Sequence, residues 1–187
     1  DLINDPSEAE LKEIFKPLAH LGAPVYAVTG NHDAQKPGYY VSERVREELQ
    51  AVGVKAMDNL HEEVEVQGVK INLLGMSDLI EGEHDWSVLW QKRDRKHFNL
   101  LLAHNPDATV DIVPGTPVDL VLSGHTHAGQ IKLPPISNWL IPTKHKFVRG
   151  WYQVNGRPVY VSSGLGEVIL PMRFLIPPEI VVMDILI

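Results

Sequence analysis

Three times along the chain a short apolar run stops and a knot of small and polar residues follows at once. Val25-Tyr26-Ala27-Val28 leads into Thr29-Gly30-Asn31-His32-Asp33, residues 98–102 lead into Ala103-His104-Asn105-Pro106-Asp107, and residues 118–122 lead into Ser123-Gly124-His125-Thr126-His127. Each run reads as a buried strand. Near-continuous apolar runs belong to sheets covered on both faces, where ligands gather outside the carboxyl ends of the strands. Helical periodicity appears between them. Residues 7–16 place Leu11, Ile14 and Phe15 at helical spacing before Pro17 stops or kinks the helix, and residues 42–52 set Val45, Leu49 and Val52 on one face ahead of Gly53. A shorter helix is expected over 86–93. Residues 63–74 alternate around Gln67-Gly68 and predict a hairpin, and further strands are expected at 129–133, 151–154, 157–162 around Asn155-Gly156, and 179–187. The simplest architecture is a mixed chain with two sheets and helices packed outside them.

Composition narrows the class without naming a function. At 187 residues, 44% hydrophobic and 22% charged, the chain suits one globular domain with a sizeable core and excludes a disordered or collagen-like polymer. No apolar run reaches the length of a membrane-spanning helix. Cysteine is absent, which removes disulfides, thiolate nucleophiles and Cys-based zinc sites. A formal charge of −7, with 17 basic residues against 24 acidic ones, predicts no nucleic-acid partner, because phosphate-backbone binding needs clustered cations.

The three knots carry the chemistry. Asn, Asp and His without sulfur are the ligand types of hard and borderline divalent ions. His125 and His127 stand two apart, so an extended backbone would project both imidazoles to one side. Gly30 and Gly124 precede them and would let backbone approach an ion or a phosphate. One such knot alone is usually a turn; three at three strand ends point to a site. The remaining histidines (His20, His61, His84, His97 and His145) fall outside the knots and read as solvated or helix-end residues. No Gly-x-Ser-x-Gly elbow, P-loop or His-Glu-x-x-His helix is present.

In order and spacing, Gly30-Asn31-His32-Asp33, Ala103-His104-Asn105-Pro106-Asp107 and Gly124-His125-Thr126-His127 resemble the calcineurin-like metallophosphoesterase superfamily. Residues 129–134, 163–166, 171–174 and 177–180 resemble a bacterial branch of it that includes UDP-diacylglucosamine hydrolases. The resemblance implies an α/β fold, a four-layer α-β-β-α sandwich of two mixed sheets flanked by helices. It implies two divalent ions, Mn²⁺ first, with Fe, Zn or Mg as alternatives. Asn31, His104 and His125 would hold one ion and His127 the other, with Asp1 bridging as the remainder of a Gly-Asp motif. His32 would be the catalytic imidazole that protonates the leaving oxygen, oriented by Asp33. The family's opening Asp-x-His does not occur before Asp1, so residues 1–187 are expected to be one N-terminally truncated domain with about one tight ion. The implied activity is hydrolysis of a small-molecule or lipid-linked phosphoester, UDP-diacylglucosamine among them. The alternative is a metal-binding pseudoenzyme or interaction domain without turnover. The branch also implies a membrane-associated or cell-envelope location. Residues 133–150, with Trp139 and Leu140 beside Lys144, Lys146 and Arg149, fit either peripheral membrane contact or an ordinary packed loop. An exposed strand edge left by the missing strand would favour oligomers.

Overall fold

A computed structural model of the chain describes residues 8–33, 39–80, 84–91, 94, 96–133, 141–168 and 170–186. Two sheets organise it. In the larger, six strands run in the order β3-β4-β5-β6-β8-β7, where β3 is His61–Val66, β4 Val69–Met76, β5 Phe98–Ala103, β6 Leu120–Ser123, β7 Gly150–Val154 and β8 Arg157–Val161. The four inner strands are parallel and the two outer ones antiparallel, so the sheet is mixed. The smaller sheet pairs β1 (Val25–Ala27) in parallel with β2 (Val54–Ala56).

Three apolar clusters separate four layers. Helices α1 (Glu8–Phe15) and α2 (Tyr39–Ala51) bury Leu11, Phe15, Val45 and Leu49 against Val54, on the outer side of the small sheet. Between the sheets lie Met57, Leu73, Leu100 and Leu120, with Tyr26, Phe98, Leu102 and Leu122 packed against them. On the far face, Leu74, Met76, Leu101, Val121, Val159 and Val161 meet Val88, Leu89, Ile112 and Phe147 from the 3₁₀ turn Trp86–Trp90, the one-turn helix α3 (Ala108–Asp111) and the loop before β7. Alternate residues of β4, β5 and β6 therefore face opposite cores, which is why Leu73-Leu74, Leu100-Leu101-Leu102 and Leu120-Val121-Leu122 run without a polar residue between them. One close approach leaves no room for a side chain: a Cβ at Gly75 would clash with the Met57 carbonyl oxygen.

Several expectations shift in detail. The helix over 7–16 is α1, which ends at Phe15 ahead of Pro17 as expected; the chain continues as a 3₁₀ turn, Lys16–His20, with proline in its first positions, where no donor is needed. The helix expected over 86–93 is a single 3₁₀ segment, begun by Asp85, whose carboxylate accepts from Ser87 N at 2.8 Å and Ser87 Oγ at 2.6 Å. Both hairpins form at the expected dipeptides, with φ of 52° and 81° at Gln67-Gly68 and 51° and 79° at Asn155-Gly156, as two-residue turns between twisted strands require. The strand expected at 129–133 is instead one isolated bridge between Ile131 and Phe174. Residues 179–186, read as a strand, join no ladder among the described residues; Glu179 anchors them by accepting from Tyr160 Oη at 3.2 Å.

Candidate metal centre

All the strand-end knots meet at one rim of the fold. The pairing of Met76 with Ala103 and of Leu102 with Leu122 sets the carboxyl ends of β4, β5 and β6 side by side. Asp78, His104 and His125 therefore emerge from neighbouring strands. From β1, Thr29 is tied across to the end of β2, donating through its backbone N at 2.8 Å and its hydroxyl at 2.7 Å to Asp58 Oδ1. Arg46 of α2 holds the other oxygen of Asp58 at 3.2 Å. The chain then turns tightly, with Asp33, fully buried, accepting from Gly30 N at 2.7 Å. This turn delivers Asn31 and His32 to the rim.

Asn31 Oδ1, His104 Nε2 and His125 Nδ1 close a triangle with edges of 2.8, 3.1 and 3.2 Å. Its protonation follows from one further contact. His125 Nε2 lies 2.9 Å from the Pro142 carbonyl, which can only accept, so the proton sits on Nε2 and Nδ1 presents a lone pair. With Oδ1 of Asn31 turned inward, two acceptors thus face each other at 2.8 Å. A cation is the natural partner for such a set. Adjacent donors of an octahedral ion held at about 2.1 Å stand roughly 3.0 Å apart. Tetrahedral zinc at about 2.05 Å would want roughly 3.3 Å. Edges of 2.8 to 3.2 Å are of the size that three donors around one small divalent ion span. Among the described residues no three His, Cys, Asp or Glu side chains converge in this way; the set is two imidazoles and an amide.

Electrostatics keep these rings neutral. Burial pushes His104 well below the ordinary imidazole range and lowers His125, His127 and His32 as well; neighbouring imidazoles add to the effect at His32, His104 and His125, and the Arg173 charge adds to it at His127. The negative charge of Asp78 acts on His32, His104 and His125 in the opposite sense. Neutral imidazoles are the ones that can ligate.

His127 stands apart from the triangle. The expectation of an extended loop is overturned here: His125 and His127 have φ of 67° and 47°, with Ala128 and Gln130 also left-handed at 52° and 55°. Left-handed backbone at non-glycine residues costs about 1–3 kcal/mol each and collects at functional sites. His127 Nδ1 faces the Gly166 carbonyl at 3.4 Å. Nevertheless His127, His32, His125 and Asn31 all line one cavity of about 200 Å³. Gly124 relieves no clash inside the chain, since a Cβ there would meet nothing within 4 Å. Asp1 lies outside the described residues, as do Trp139 and Leu140. His61 pairs with Asn72, His97 with Glu63, and neither belongs to the rim.

Sequence reasoning passed over three contributors. Asp78 ends β4 by the same grammar as the other knots, an apolar run followed by Ser77-Asp78, and is 1% exposed. Asp107 lies within a noted motif, but its role is read only from the structure: its carboxylate accepts from Thr143 Oγ1 at 2.6 Å and Lys144 N at 2.7 Å. It thereby fixes the stretch that carries the Pro142 carbonyl. Gln130 ties two distant segments together. No sequence signal marks these last two, because their partners lie 36 to 40 residues away.

A six-stranded mixed sheet whose strand ends gather imidazoles and an amide defines a metallophosphoesterase-type site, and residues 1–129 match the family model described as calcineurin-like phosphoesterase. The chain belongs to that family. It is 34% identical over 187 residues to the uncharacterized metallophosphoesterase YkuE of Bacillus subtilis, covering 97% of this chain and 64% of that protein. It is 28% identical over 177 residues to the phosphodiesterase YaeI of Escherichia coli, covering 92% of this chain and 62% of that protein. The chain thus spans less than two thirds of these relatives. In fold it resembles the NAD nucleotidase NadN of Haemophilus influenzae, with a TM-score of 0.51 at 15% identity over 84% of this chain and 36% of that one. The sulfate thiohydrolase SoxB of Thermus thermophilus gives 0.50 at 16% identity over 80% and 29%.

Proposed function

We propose that this protein is a metal-dependent phosphoester hydrolase whose tighter ion is held by Asn31, His104 and His125 and whose second is held by His127, with Asp1 between them. The observation that carries the reading is the triangle of Asn31 Oδ1, His104 Nε2 and His125 Nδ1, in which Asn31 Oδ1 and a bare His125 Nδ1 face each other as acceptors, beside the cavity that His32 lines. Bound there, two divalent ions, Mn²⁺ first, would supply Lewis-acid charge to a phosphoryl group and an attacking water.

The chain's own residues do the rest. Asp33 shapes the Gly30 turn and, in this reading, orients His32 at the cavity. His32 protonates the leaving oxygen. Burial disfavours its charged form, but an anionic phosphoryl group beside it favours imidazolium, in the same sense as the charges of Asp33 and Asp78. Asn31, His104 and His125, packed at strand ends, are positioned before any ligand arrives. UDP-diacylglucosamine, a phosphoanhydride between a nucleoside and an acylated sugar, is one substrate of this class to try.

Mn²⁺-dependent hydrolysis of bis-p-nitrophenyl phosphate tests the proposal. His32→Asn should lower kcat by about 100-fold or more with metal content unchanged. Loss of metal together with activity would make His32 a ligand instead. A protein that binds metal and hydrolyses no phosphoester would be the non-catalytic interaction domain.

A further inference from the structure

Three stretches to which the proposed reaction gives no part, residues 163–166, 171–174 and 177–180, meet beside His127. The first is the loop that follows β8, and it climbs to the surface: Ser163 is buried, but Leu165 is 61% exposed and Gly166 is exposed as well. Gly164 has a φ of 65°, a conformation open to glycine and strained for most other residues. Burial alone would let such a loop wander, since exposed backbone with two glycines has much conformational freedom to lose. Ionic side chains from the other two stretches hold it instead.

Arg173 grips one side. Its Nη2 donates to the Ser163 carbonyl at 2.8 Å and also to the Gly166 carbonyl, and its Nε donates to that same Gly166 oxygen at 3.1 Å. Glu179 grips the other. Its Oε1 accepts from Ser163 N at 3.3 Å and Tyr160 Oη at 3.2 Å, its own N–H donates to the Gly164 carbonyl at 3.0 Å, and Arg149 stands 3.7 Å from its second oxygen. A guanidinium suits the first task because its planar fork reaches two carbonyls at once, which a flexible ammonium does not. The result of both grips is a fixed Gly166 carbonyl, and His127 Nδ1 faces that oxygen at 3.4 Å. A carbonyl only accepts, so the contact places the imidazole proton on Nδ1 and the lone pair on Nε2. Past Gly166 the chain runs on to Val168 and Leu170, which with Ile131 and Pro142 wall the cavity and are tied down by the Gln130 amide.

We propose that Arg173, together with Glu179, is a positioning residue for His127: through the Gly166 carbonyl it sets the tautomer and ring orientation with which Nε2 meets the second ion. The inference rests on the reading of His127 as a ligand and adds what orients it. Metal-binding imidazoles donate their other N–H to a carbonyl or carboxylate, and loss of that partner weakens metal binding by about 10–100-fold. The sign of the effect separates positioning from charge. The Arg173 charge acts against positive charge at His127. By charge alone, removing the guanidinium would tighten ion binding there; removing a positioning residue loosens it.

Nitrogen NMR of the histidine side chains tests this apart from turnover, with Zn²⁺, which has no unpaired electrons, as the ion. In the metal-free protein near neutral pH, His127 should carry its proton on Nδ1; a proton on Nε2 overturns the proposal with no variant needed. Arg173→Met should turn that single tautomer into a mixture and weaken Zn²⁺ at His127 by about tenfold or more, while Zn²⁺ at His104 and His125 weakens by less than about threefold. Arg173→Lys, which keeps the charge and loses the fork, should recover less than about half of the loss. If Arg173→Met does not fold, Glu179→Ala, which loosens the loop from its other side, should shift the same tautomer. An unchanged tautomer in a folded variant, or tighter Zn²⁺ binding, overturns the proposal. A tautomer that follows Arg173 while Zn²⁺ never reaches His127 upholds the clamp and removes His127 from the ligands.

Discussion

The donor triangle and the wall of the neighbouring cavity are built by different means. His104 and His125 stand at the ends of adjacent parallel strands, 6% and 5% exposed, with their levels fixed by the β5–β6 register. His127 and the wall around Val168 rest on loops, held by left-handed backbone and by the Gln130 amide. His104 directly follows β5 and its carbonyl accepts from Gly124 N at 3.0 Å, so the first residues past the two strands are still tied to each other, and burial holds both rings in place. Loops can move their side chains at the cost of a few hydrogen bonds. The converging donors thus sit on the more rigid side and the apolar wall on the more adjustable one, an arrangement by which the wall can vary while the donor set stays the same.

The largest expected effect separates the two sides directly. His125→Ala should weaken Mn²⁺ binding at the tighter site by at least about 100-fold, since it removes a donor of the triangle and not merely an outer contact. His127→Ala should change that same affinity by less than about tenfold. Titration calorimetry on both variants decides it; equal losses would mean that His127 belongs to the first set and that the contrast is wrong.

Next in size is Asp107→Ala. Through Thr143 and Lys144 this carboxylate positions the Pro142 carbonyl, and that carbonyl holds the proton of His125 on Nε2. Removing it should weaken metal binding by about 10-fold or more, the scale of outer-shell contacts. Asp107→Asn, which keeps one acceptor, should recover part of the loss. A purely structural role predicts a lower melting temperature in both variants with metal affinity unchanged in the folded fraction.

What the sequence could reveal follows from how local each device is. Residues 25–28, 98–102 and 118–122 announce strands because both faces are buried, and the knots after them carry Asn31, His104 and His125 to one rim. Period and punctuation suffice there. They mislead at residues 129–133, where Gln130-Ile131-Lys132-Leu133 alternates as a strand would but, among the described residues, Ile131 forms one isolated bridge, to Phe174, 43 positions on. The same limit hides Asp107, an ordinary acid in a short motif until the loop at 143–145 folds onto it. His125 and His127 illustrate a subtler failure. Spacing of two suggested an extended strand end, whereas the left-handed turns bring both imidazoles to the cavity by a strained route that no local propensity favours.

The smallest effect should come from the adjustable side. Gln130→Ala removes three hydrogen bonds, to Val168 O, Leu170 O and Val168 N, but the segment they hold is near the surface. Each such bond contributes about 0.5–1.5 kcal/mol net, and water can replace part of it once the segment opens. Global stability should therefore fall only modestly, while amide exchange at Val168, whose N–H donates to Gln130 Oε1, should speed up by about tenfold or more through local opening. Amide exchange within β5 and β6 should stay as slow as before, and Mn²⁺ affinity should move by less than about threefold. If the loss instead spreads into β5 and β6, or if metal binding weakens as much as in Asp107→Ala, the wall and the triangle form one cooperative unit and the division of labour between them does not hold.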